Sequence, residues 1–201
     1  MLTLAIQAGG SSKRMGEDKA LKSFLGRPLI QRVVERLNPI ADELLVTTNT
    51  PDPYAFLGLQ LVPDLLPGYG ALGGLYTALA SASFPLVAVA ACDLPFASPA
   101  LFEAAARLLV QEDVDLVIPR TRLGLEPLHA VYRRATCLPD IRAAIETGRM
   151  KIIDWFPQVR VREQTPADVM QLDPSGLAFW NLNTLDEFTR AEELARTLPG
   201  H

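Results

Sequence analysis

The apolar run at residues 2–6 leads directly into the segment Ala8-Gly9-Gly10-Ser11-Ser12-Lys13-Arg14-Met15-Gly16-Glu17-Asp18-Lys19. A short apolar run that ends in glycines and serines predicts a β-strand followed by a loop. Glycines allow backbone N–H groups to approach an anion closely, and Arg14 and Lys19 add positive charge. The segment therefore predicts a phosphate-binding loop. An ordinary flexible connection between a strand and a helix is the alternative.

The spacing of this loop excludes two common phosphate-binding motifs. A nucleotide P-loop requires Gly-Lys followed at once by Ser or Thr, whereas Lys19 follows an aspartate and precedes an alanine. The dinucleotide fingerprint G-x-G-x-x-G is not matched by the positions of Gly9, Gly10 and Gly16. The loop therefore indicates another kind of phosphate-handling protein.

Strand-like and helix-like runs alternate over the first 120 residues. The strand-like runs are short and partly β-branched, and they cover residues 44–47, 59–62, 86–90 and 116–118. Helical patterns lie between them at residues 29–37, 72–82 and 99–109, and Ser98 can cap the last of these. The alternation predicts a single three-layer α/β domain with helices on both faces of a mostly parallel sheet.

The pattern is less regular beyond Pro119. Residues 127–132 and 159–162 are candidate strands, and residues 140–147 form a candidate helix ended by Gly148. Thr184 can cap a last helix at residues 185–196. Neither an internal repeat nor a clear linker is visible, so we expect the whole chain, residues 1–201, to form one domain.

Polar side chains follow several of the predicted strands. Asn49, Asp64 and Asp93 each come just after a strand-like run, as the glycine-rich loop does. Open parallel sheets bind ligands at the carboxyl ends of their strands, so these groups are expected at one edge. Asn49 and Asp64 suit contacts with a base or a ribose, with ordinary turn residues as the alternative. Asp93 suits Mg²⁺, with capping of the following turn as the alternative.

Composition limits the classes of partner. The chain of 201 residues has a formal net charge of −4, which argues against a nucleic-acid partner. Its two cysteines lack metal-ligand spacing and fit a reducing cytoplasm rather than a disulfide scaffold. No apolar run approaches the ~20 residues that a membrane span needs, and the first residues do not have the pattern of a signal peptide. We therefore expect a cytoplasmic protein without a membrane partner.

The first segment resembles the signature L-A-G/A-G-x-S-x-R-M-G-x-D-K of nucleotidyltransferases, with Gln7 where Leu is usual. Its Ala8-Gly9-Gly10 resembles the corresponding tripeptide of the molybdenum cofactor guanylyltransferase branch. Four later segments resemble motifs of the same branch: Cys92-Asp93-Leu94-Pro95-Phe96, Gly68-Tyr69-Gly70-Ala71-Leu72-Gly73-Gly74-Leu75, Glu126-Pro127-Leu128-His129-Ala130-Val131-Tyr132 and Asn181-Leu182-Asn183-Thr184. Ala71 and Leu185 replace prolines of the family patterns.

The resemblance implies a domain of the nucleotidyltransferase (Rossmann-like) type and a specific reaction. GTP and the phosphate of molybdenum–molybdopterin would give the guanine dinucleotide cofactor and pyrophosphate, with Mg²⁺ as the metal. Residues 1–100 would form mainly the nucleotide-binding half and residues 101–201 mainly the acceptor-binding half. Other cofactor-biosynthesis proteins or recipient molybdoenzymes are possible partners.

The resemblance also implies residue roles. The catalytic residues would be Arg14, Lys19 and Asp93, and Asp93 would bind the metal. The nucleotide would contact Gln7, Ala8, Gly9, Gly10, Lys19, Asn49, Asp64 and Asp93. The acceptor would contact Glu126, Asn181 and Asn183. We interpret His129 as a packing or hydrogen-bonding side chain, because an ionised phosphate nucleophile needs no general base.

Three alternatives remain open from the sequence. A related cytidylyltransferase would carry Ala-Ala-Gly in its first loop. A sugar-phosphate nucleotidyltransferase is disfavoured because this chain is short for that group. A nucleotide-binding or scaffold subunit without turnover is the third alternative, and the presence of Lys19 and Asp93 argues against it.

Overall fold

An eight-stranded sheet lies at the centre of the residues that the computed structural model describes, 1–8 and 18–198. The strands are β1 (Leu2–Gln7), β2 (Ser23–Phe24), β3 (Arg27–Pro28), β4 (Glu43–Thr47), β5 (Gln60–Val62), β6 (Leu86–Ala91), β7 (Leu116–Thr121), β8 (Gly124–Leu125), β9 (His129–Arg133) and β10 (Val161–Gln164). The helices are α1 (Leu29–Leu37), α2 (Gly70–Ser81), α3 (Pro99–Gln111), α4 (Arg134–Glu146), α5 (Pro166–Leu172) and α6 (Leu185–Ala195).

The central sheet is mostly parallel, as the alternation of strands and helices predicts. Its order is β10-β7-β9-β6-β1-β4-β5, and β8 pairs with β7 at one end of that strand. Strand β9 is antiparallel to both β6 and β7, while β1, β4, β5 and β6 pair in parallel. Because β9 runs in the opposite direction, the residues before it lie at the edge where the parallel strands end.

Helices cover both faces of the sheet, which gives the predicted three layers. On one face, Ile30, Val33 and Leu37 of α1 pack with Phe102 of α3 against the sheet. On the other face, the buried side chains of α2 and α4 pack together with Trp155. The buried apolar face of α1 recurs at helical spacing, so a local pattern was enough to predict this helix.

A third apolar cluster attaches the C-terminal part of the chain to this frame. It contains Phe24 of the small β2–β3 hairpin, Phe96, Leu182 and Phe188. The rings of Phe24 and Phe96 lie edge to face with their centroids 6.2 Å apart. The cluster therefore fixes the segment before α6 against the loop that follows β6.

Several elements differ from the sequence prediction. Helix α4 begins at Arg134 rather than at residue 140, with Pro139 inside it, because its buried Cys137 and Ile141 extend the apolar face. Strand β10 is shifted by two residues, since its pairing with β7 sets its position. The β2–β3 hairpin and α5 were not predicted. Among the helices in the described part of the chain, none is both long and apolar enough to cross a membrane.

Candidate active site

A cleft of about 710 Å³ lies at the carboxyl edge of the sheet. It is lined by residues that follow β1, β4, β5 and β6, and by the segments before β9 and α6. Nine of the residues to which the resemblance assigns a role line it: Gln7, Ala8, Lys19, Asn49, Asp64, Asp93, Glu126, Asn181 and Asn183. Gly9, Gly10 and Arg14 lie outside the described residues.

Lys19 connects two distant parts of the chain in this cleft. Its Nζ donates to Oδ2 of Asp93 at 2.6 Å and to Oδ1 of Asn183 at 2.8 Å. The side chains of Lys19 and Asp93 are only 14% and 15% exposed, so solvent screens their attraction weakly. The ammonium is therefore oriented before any substrate binds.

Asp93 is fixed by the end of β6 and by the segment before α6. The backbone N–H of Leu182 donates to the carbonyl oxygen of Asp93 at 3.1 Å. Leu182 is fully buried, whereas Asn181 and Asn183 on either side of it line the cleft. Residues two apart on an extended stretch face the same side, which explains why both asparagines line the cleft.

The position of Asn183 is set by the start of α6. Glu187 Oε2 accepts from the backbone N–H groups of Asn183 at 2.7 Å and Thr184 at 2.8 Å. The Thr184 hydroxyl accepts in return from the N–H of Glu187, which completes a capping box. The predicted Thr184 cap is thus present, and it also orders a residue that contacts Lys19.

Asn49 and Asp64 form a reciprocal pair across the ends of β4 and β5. Asn49 Nδ2 donates to Asp64 Oδ2 at 2.7 Å, and the backbone N–H of Asp64 donates to Asn49 Oδ1 at 2.9 Å. Parallel pairing of Thr47 with Val62 brings the two loops together. The pair presents carboxylate and amide atoms at one end of the cleft.

Gln7 brings an unsatisfied donor to the cleft. Its side chain is buried, with the residue 5% exposed, and its Nε2 finds no hydrogen-bond partner among residues 1–8 and 18–198. A Cβ at Gly74 of α2 would lie only 3.1 Å from Gln7 Cδ, so the absence of a side chain there makes room for the amide. A buried amide donor without an acceptor is costly, and an acceptor on a ligand would relieve that cost.

The N-terminus of α2 also opens onto the cleft. Gly68 and Gly70 line it, with φ angles of +94° and +52° that L side chains rarely adopt. The cap residue, Tyr69, makes no side-chain hydrogen bond to the first turn. The first backbone N–H groups of α2 are therefore suited to an anion.

Glu126 also lines the cleft, just before β9. Burial raises the pKa of its carboxyl, and the hydroxyl of Thr121 donates to it at 2.9 Å. The neighbouring residue, Pro127, is held in place because its carbonyl oxygen accepts from the Tyr132 hydroxyl at 2.6 Å. This part of the wall therefore offers a partly desolvated acceptor group.

His129 and Cys92 have the roles of buried side chains. His129 Nε2 accepts from the backbone N–H of Ser98 at 3.1 Å, and its ring stacks on Phe102 with centroids 4.0 Å apart. Burial lowers the pKa of His129 to about 4, so its ring is neutral at pH 7. Burial and the charge of Asp93 raise the pKa of the Cys92 thiol, which disfavours the nucleophilic thiolate.

Asp93 fits a divalent metal that the substrate helps to hold. Within residues 1–8 and 18–198, no cluster of three or more His, Cys, Asp or Glu side chains is arranged to bind a metal by itself. Magnesium at nucleotide sites commonly uses one or two carboxylates together with substrate phosphates. A single carboxylate in a cleft suits that arrangement better than a structural metal.

Sequence reasoning missed two residues that support Lys19. Asp18 caps the 3₁₀ helix Lys19–Leu21 by accepting from the N–H of Ala20 at 3.1 Å. Tyr54, from the connection between β4 and β5, donates its hydroxyl to Asp18. The position of Asp18 beside Lys19 was a usable signal, whereas nothing in the sequence indicated Tyr54.

Comparison with known proteins gives a consistent result. A family model described as the MobA-like NTP transferase domain matches residues 4–162. The chain is 35% identical over 195 residues to the "Probable molybdenum cofactor guanylyltransferase" of Pelotomaculum thermopropionicum, covering 96% of this chain and 93% of that protein. It is 34% identical over 192 residues to the "Molybdenum cofactor guanylyltransferase" of Desulfosudis oleivorans, covering 95% and 94%.

A solved structure agrees in fold over nearly the whole chain. It is the crystal structure of molybdopterin-guanine dinucleotide biosynthesis protein A from Archaeoglobus fulgidus, with a TM-score of 0.84 and 26% identity. The match covers 98% of this chain and 100% of that one. The resemblance and the fold class expected from the sequence are thus confirmed.

Proposed function

The chain belongs to the family of the MobA-like NTP transferase domain, and we propose that it is a molybdenum cofactor guanylyltransferase. It transfers GMP from GTP to the phosphate of molybdenum–molybdopterin, which yields the guanine dinucleotide form of the cofactor and pyrophosphate. An oxygen of the acceptor phosphate attacks the α-phosphorus of GTP. The bond from that phosphorus to the bridging oxygen of the β-phosphate breaks, and the electron pair leaves with pyrophosphate.

The convergence of Lys19, Asp93 and Asn183 carries this proposal. Phosphoryl and nucleotidyl transfer require little covalent chemistry from the protein, so positioned charges and donors dominate catalysis. Lys19 already has a fixed orientation through two hydrogen bonds, of 2.6 and 2.8 Å. Its ammonium, together with Arg14, neutralises negative charge on the departing pyrophosphate.

Asp93 is the proposed metal ligand, and Mg²⁺ is the proposed metal. Bound there, Mg²⁺ would neutralise charge on the triphosphate and the leaving pyrophosphate. The Asp93 carboxylate accepts from Lys19 with Oδ2, and its Oδ1 accepts no hydrogen bond from the described part of the chain. Asp93 thus has a carboxylate oxygen for a cation without loss of the Lys19 contact.

The nucleotide-binding half is formed mainly by residues 1–100. Asn49 and Asp64 contact the base or ribose, and the pair is supported by its own two hydrogen bonds. The backbone at Ala8, Gly9 and Gly10 binds the nucleotide at the end of β1. The buried Nε2 of Gln7 donates to an acceptor atom of the bound nucleotide, which satisfies a group that has no partner in the described part of the chain.

The acceptor-binding half is formed mainly by residues 101–201. A pterin ring presents several N–H donors and acceptors, and Glu126 and Asn181 offer complementary atoms on that side of the cleft. Asn183 contacts the acceptor close to the reacting phosphate, because it also holds Lys19. The cofactor then passes to another biosynthesis protein or to a recipient molybdoenzyme. A cytoplasmic location suits these roles and the unpaired state of Cys92 and Cys137.

Pyrophosphate release tests the proposed function directly. The protein is incubated with molybdenum–molybdopterin, Mg²⁺ and one nucleoside triphosphate at a time. We expect release with GTP that depends on the acceptor, and little release with CTP, ATP or UTP. A preference for CTP would favour the cytidylyltransferase alternative, and GTP binding without any release would favour a non-catalytic subunit.

Thermal shift measurements supply an independent test of nucleotide choice. A ligand at 100 times its dissociation constant stabilises the folded state by ~2.7 kcal/mol. With Mg²⁺ present, GTP should give the largest shift of the four nucleotides, because Gly9 leaves room for a purine. A larger shift with CTP would overturn the assignment to the guanylyltransferase branch.

A further inference from the structure

Tyr54 contacts Asp18, the residue before Lys19, from a distant part of the chain. Its hydroxyl donates to Oδ2 of Asp18 at 2.5 Å, across a sequence separation of 36 residues. The side chain of Tyr54 is fully buried, and it belongs to the same apolar cluster as Ala20 and Ile30. The ring therefore gives its hydroxyl a fixed position, and that hydroxyl meets a carboxylate.

Asp18 uses both carboxylate oxygens in this arrangement. Oδ1 accepts from the backbone N–H of Ala20 at 3.1 Å, which caps the 3₁₀ helix Lys19–Leu21, while Oδ2 accepts from Tyr54. Burial, followed by the contact with Asp18, raises the pKa of Tyr54, so its hydroxyl remains a donor at neutral pH. The residue next to Asp18 is Lys19, and its backbone is part of the capped turn.

We propose that Tyr54 is a positioning residue for Lys19, which it orders through Asp18. The buried ring anchors Asp18, Asp18 anchors the turn, and the turn directs the Lys19 side chain toward Asp93 and Asn183. A lysine side chain has many rotamers, so a fixed starting point at its backbone limits the arc over which Nζ moves. The catalytic part of this inference rests on the proposed function of Lys19.

The location of Tyr54 gives this contact a second consequence. Tyr54 lies in the 3₁₀ helix Asp52–Leu57, within the connection between β4 and β5 that also carries Asn49. This one connection therefore places Asn49 in the cleft, where we propose that the nucleotide binds, and places Tyr54 against Asp18. Displacement of this connection changes both the base or ribose contact and the position of Lys19.

The test uses Tyr54→Phe in the full chain, because this variant keeps the buried ring and removes only the hydroxyl. We expect kcat for GTP-dependent pyrophosphate release to fall ~10-fold or more, since small misplacements of catalytic groups have effects of up to ~10²-fold. The KM for GTP should change less than ~3-fold. Tyr76→Phe is the matched control, because Tyr76 is a partly buried tyrosine of α2 that does not line the cleft.

A second variant covers the case in which Tyr54→Phe does not fold. Asp18→Asn keeps an oxygen to cap Ala20, but its amide nitrogen cannot accept from the Tyr54 hydroxyl. It should lower kcat by a similar factor. In the Lys19→Ala background, neither substitution should lower kcat further, because both act through Lys19.

The ¹⁵Nζ resonance of Lys19 supplies a readout that does not depend on activity. Hydrogen-bonded ammonium groups exchange slowly with water, so we expect a resolved signal in the wild-type protein that weakens or moves in Tyr54→Phe. An unchanged kcat together with an unchanged Lys19 signal would overturn the inference. Loss of the Lys19 signal in a protein that never releases pyrophosphate would support the positioning contact and reject the proposed function instead.

Discussion

Lys19 Nζ lies 2.6 Å from Asp93 Oδ2, although 74 residues separate them in the sequence. The contact joins the 3₁₀ turn Lys19–Leu21 to the residues at the end of β6. A cation and a carboxylate this close, each about one-seventh exposed, hold one another in place in a cleft that otherwise faces solvent. The Lys19 ammonium is thereby positioned in advance, which is the condition for the electrostatic catalysis that we propose for it.

Replacement of Lys19 should abolish most of the turnover. We expect Lys19→Ala to reduce kcat ~10²–10³-fold, by analogy with loss of one preorganised donor that stabilises transition-state charge. Pyrophosphate release under saturating GTP measures the effect. Lys22→Ala is the matched control, because Lys22 lies nearby but packs its ammonium over the ring of Phe188. Equal rates for Lys19→Ala and the wild type would remove Lys19 from the mechanism.

Asp93→Asn should lose Mg²⁺-dependent activity and keep the fold. The amide preserves size but lacks the negative charge that a hard cation prefers. Its oxygen can still accept from Lys19, and the backbone bond from Leu182 to the residue 93 carbonyl is untouched. A Mg²⁺ titration of pyrophosphate release and a thermal melt measure the two properties, with Asp140→Asn on α4 as control. A melt at much lower temperature would assign Asp93 a structural role instead.

Gln7→Leu should separate stability from nucleotide binding. The substitution removes a buried amide donor that makes no hydrogen bond to any described residue, so the unliganded protein should gain up to ~1 kcal/mol of stability. GTP should bind more weakly, because the proposed hydrogen bond from Nε2 is lost. Denaturant unfolding and calorimetry with GTP measure the two effects. Unchanged GTP affinity would exclude the Gln7 side chain from the nucleotide site.

The two asparagines before α6 should affect the acceptor more than GTP. We expect Asn181→Ala together with Asn183→Ala to weaken use of molybdenum–molybdopterin and to leave GTP affinity nearly unchanged. Because Asn183 holds Lys19 at 2.8 Å, Asn183→Ala alone should also lower kcat, whereas Asn181→Ala alone should not. Calorimetry with GTP decides between the sites. A loss of more than about tenfold, or ~1.4 kcal/mol, would move both residues to the nucleotide or metal site.

His129 should make stability depend on pH. Its pKa is lowered to about 4 in the folded protein, against about 6.5 in an unfolded chain. The unfolded state therefore binds a proton first as the pH falls, and the folded state loses up to ~3 kcal/mol of stability between pH 6.5 and 4. His129→Gln keeps an acceptor for the Ser98 N–H and does not titrate. Free energies of unfolding across this range should fall less steeply for the variant, and parallel curves would contradict the prediction.

Local pattern was sufficient for the elements whose signals are short-range. The spacing of Leu29, Ile30, Val33 and Leu37 along α1 and the capping residues Ser98 and Thr184 identified three helices at the correct starts. Strand β10 was misplaced by two residues, because a strand is positioned by its neighbour. Here Asp115 binds the backbone N–H of Arg160 and sets the alignment with β7.

The sequence by itself determined the class of fold and the family, and it supplied candidate residues for a nucleotide site, because all of these follow from motifs of neighbouring residues. Tertiary structure alone decided which of those residues meet. Asn183 contacts Lys19 across a sequence separation of 164 residues. The contact forms because Leu182 is buried in the third apolar cluster, which packs the segment before α6 against the edge of the sheet. Tyr54 reaches Asp18, and Gln7 fits against Gly74, for the same reason. Such contacts depend on where packing places whole helices and strands, and the spacing of neighbouring residues does not determine the distance between two such elements.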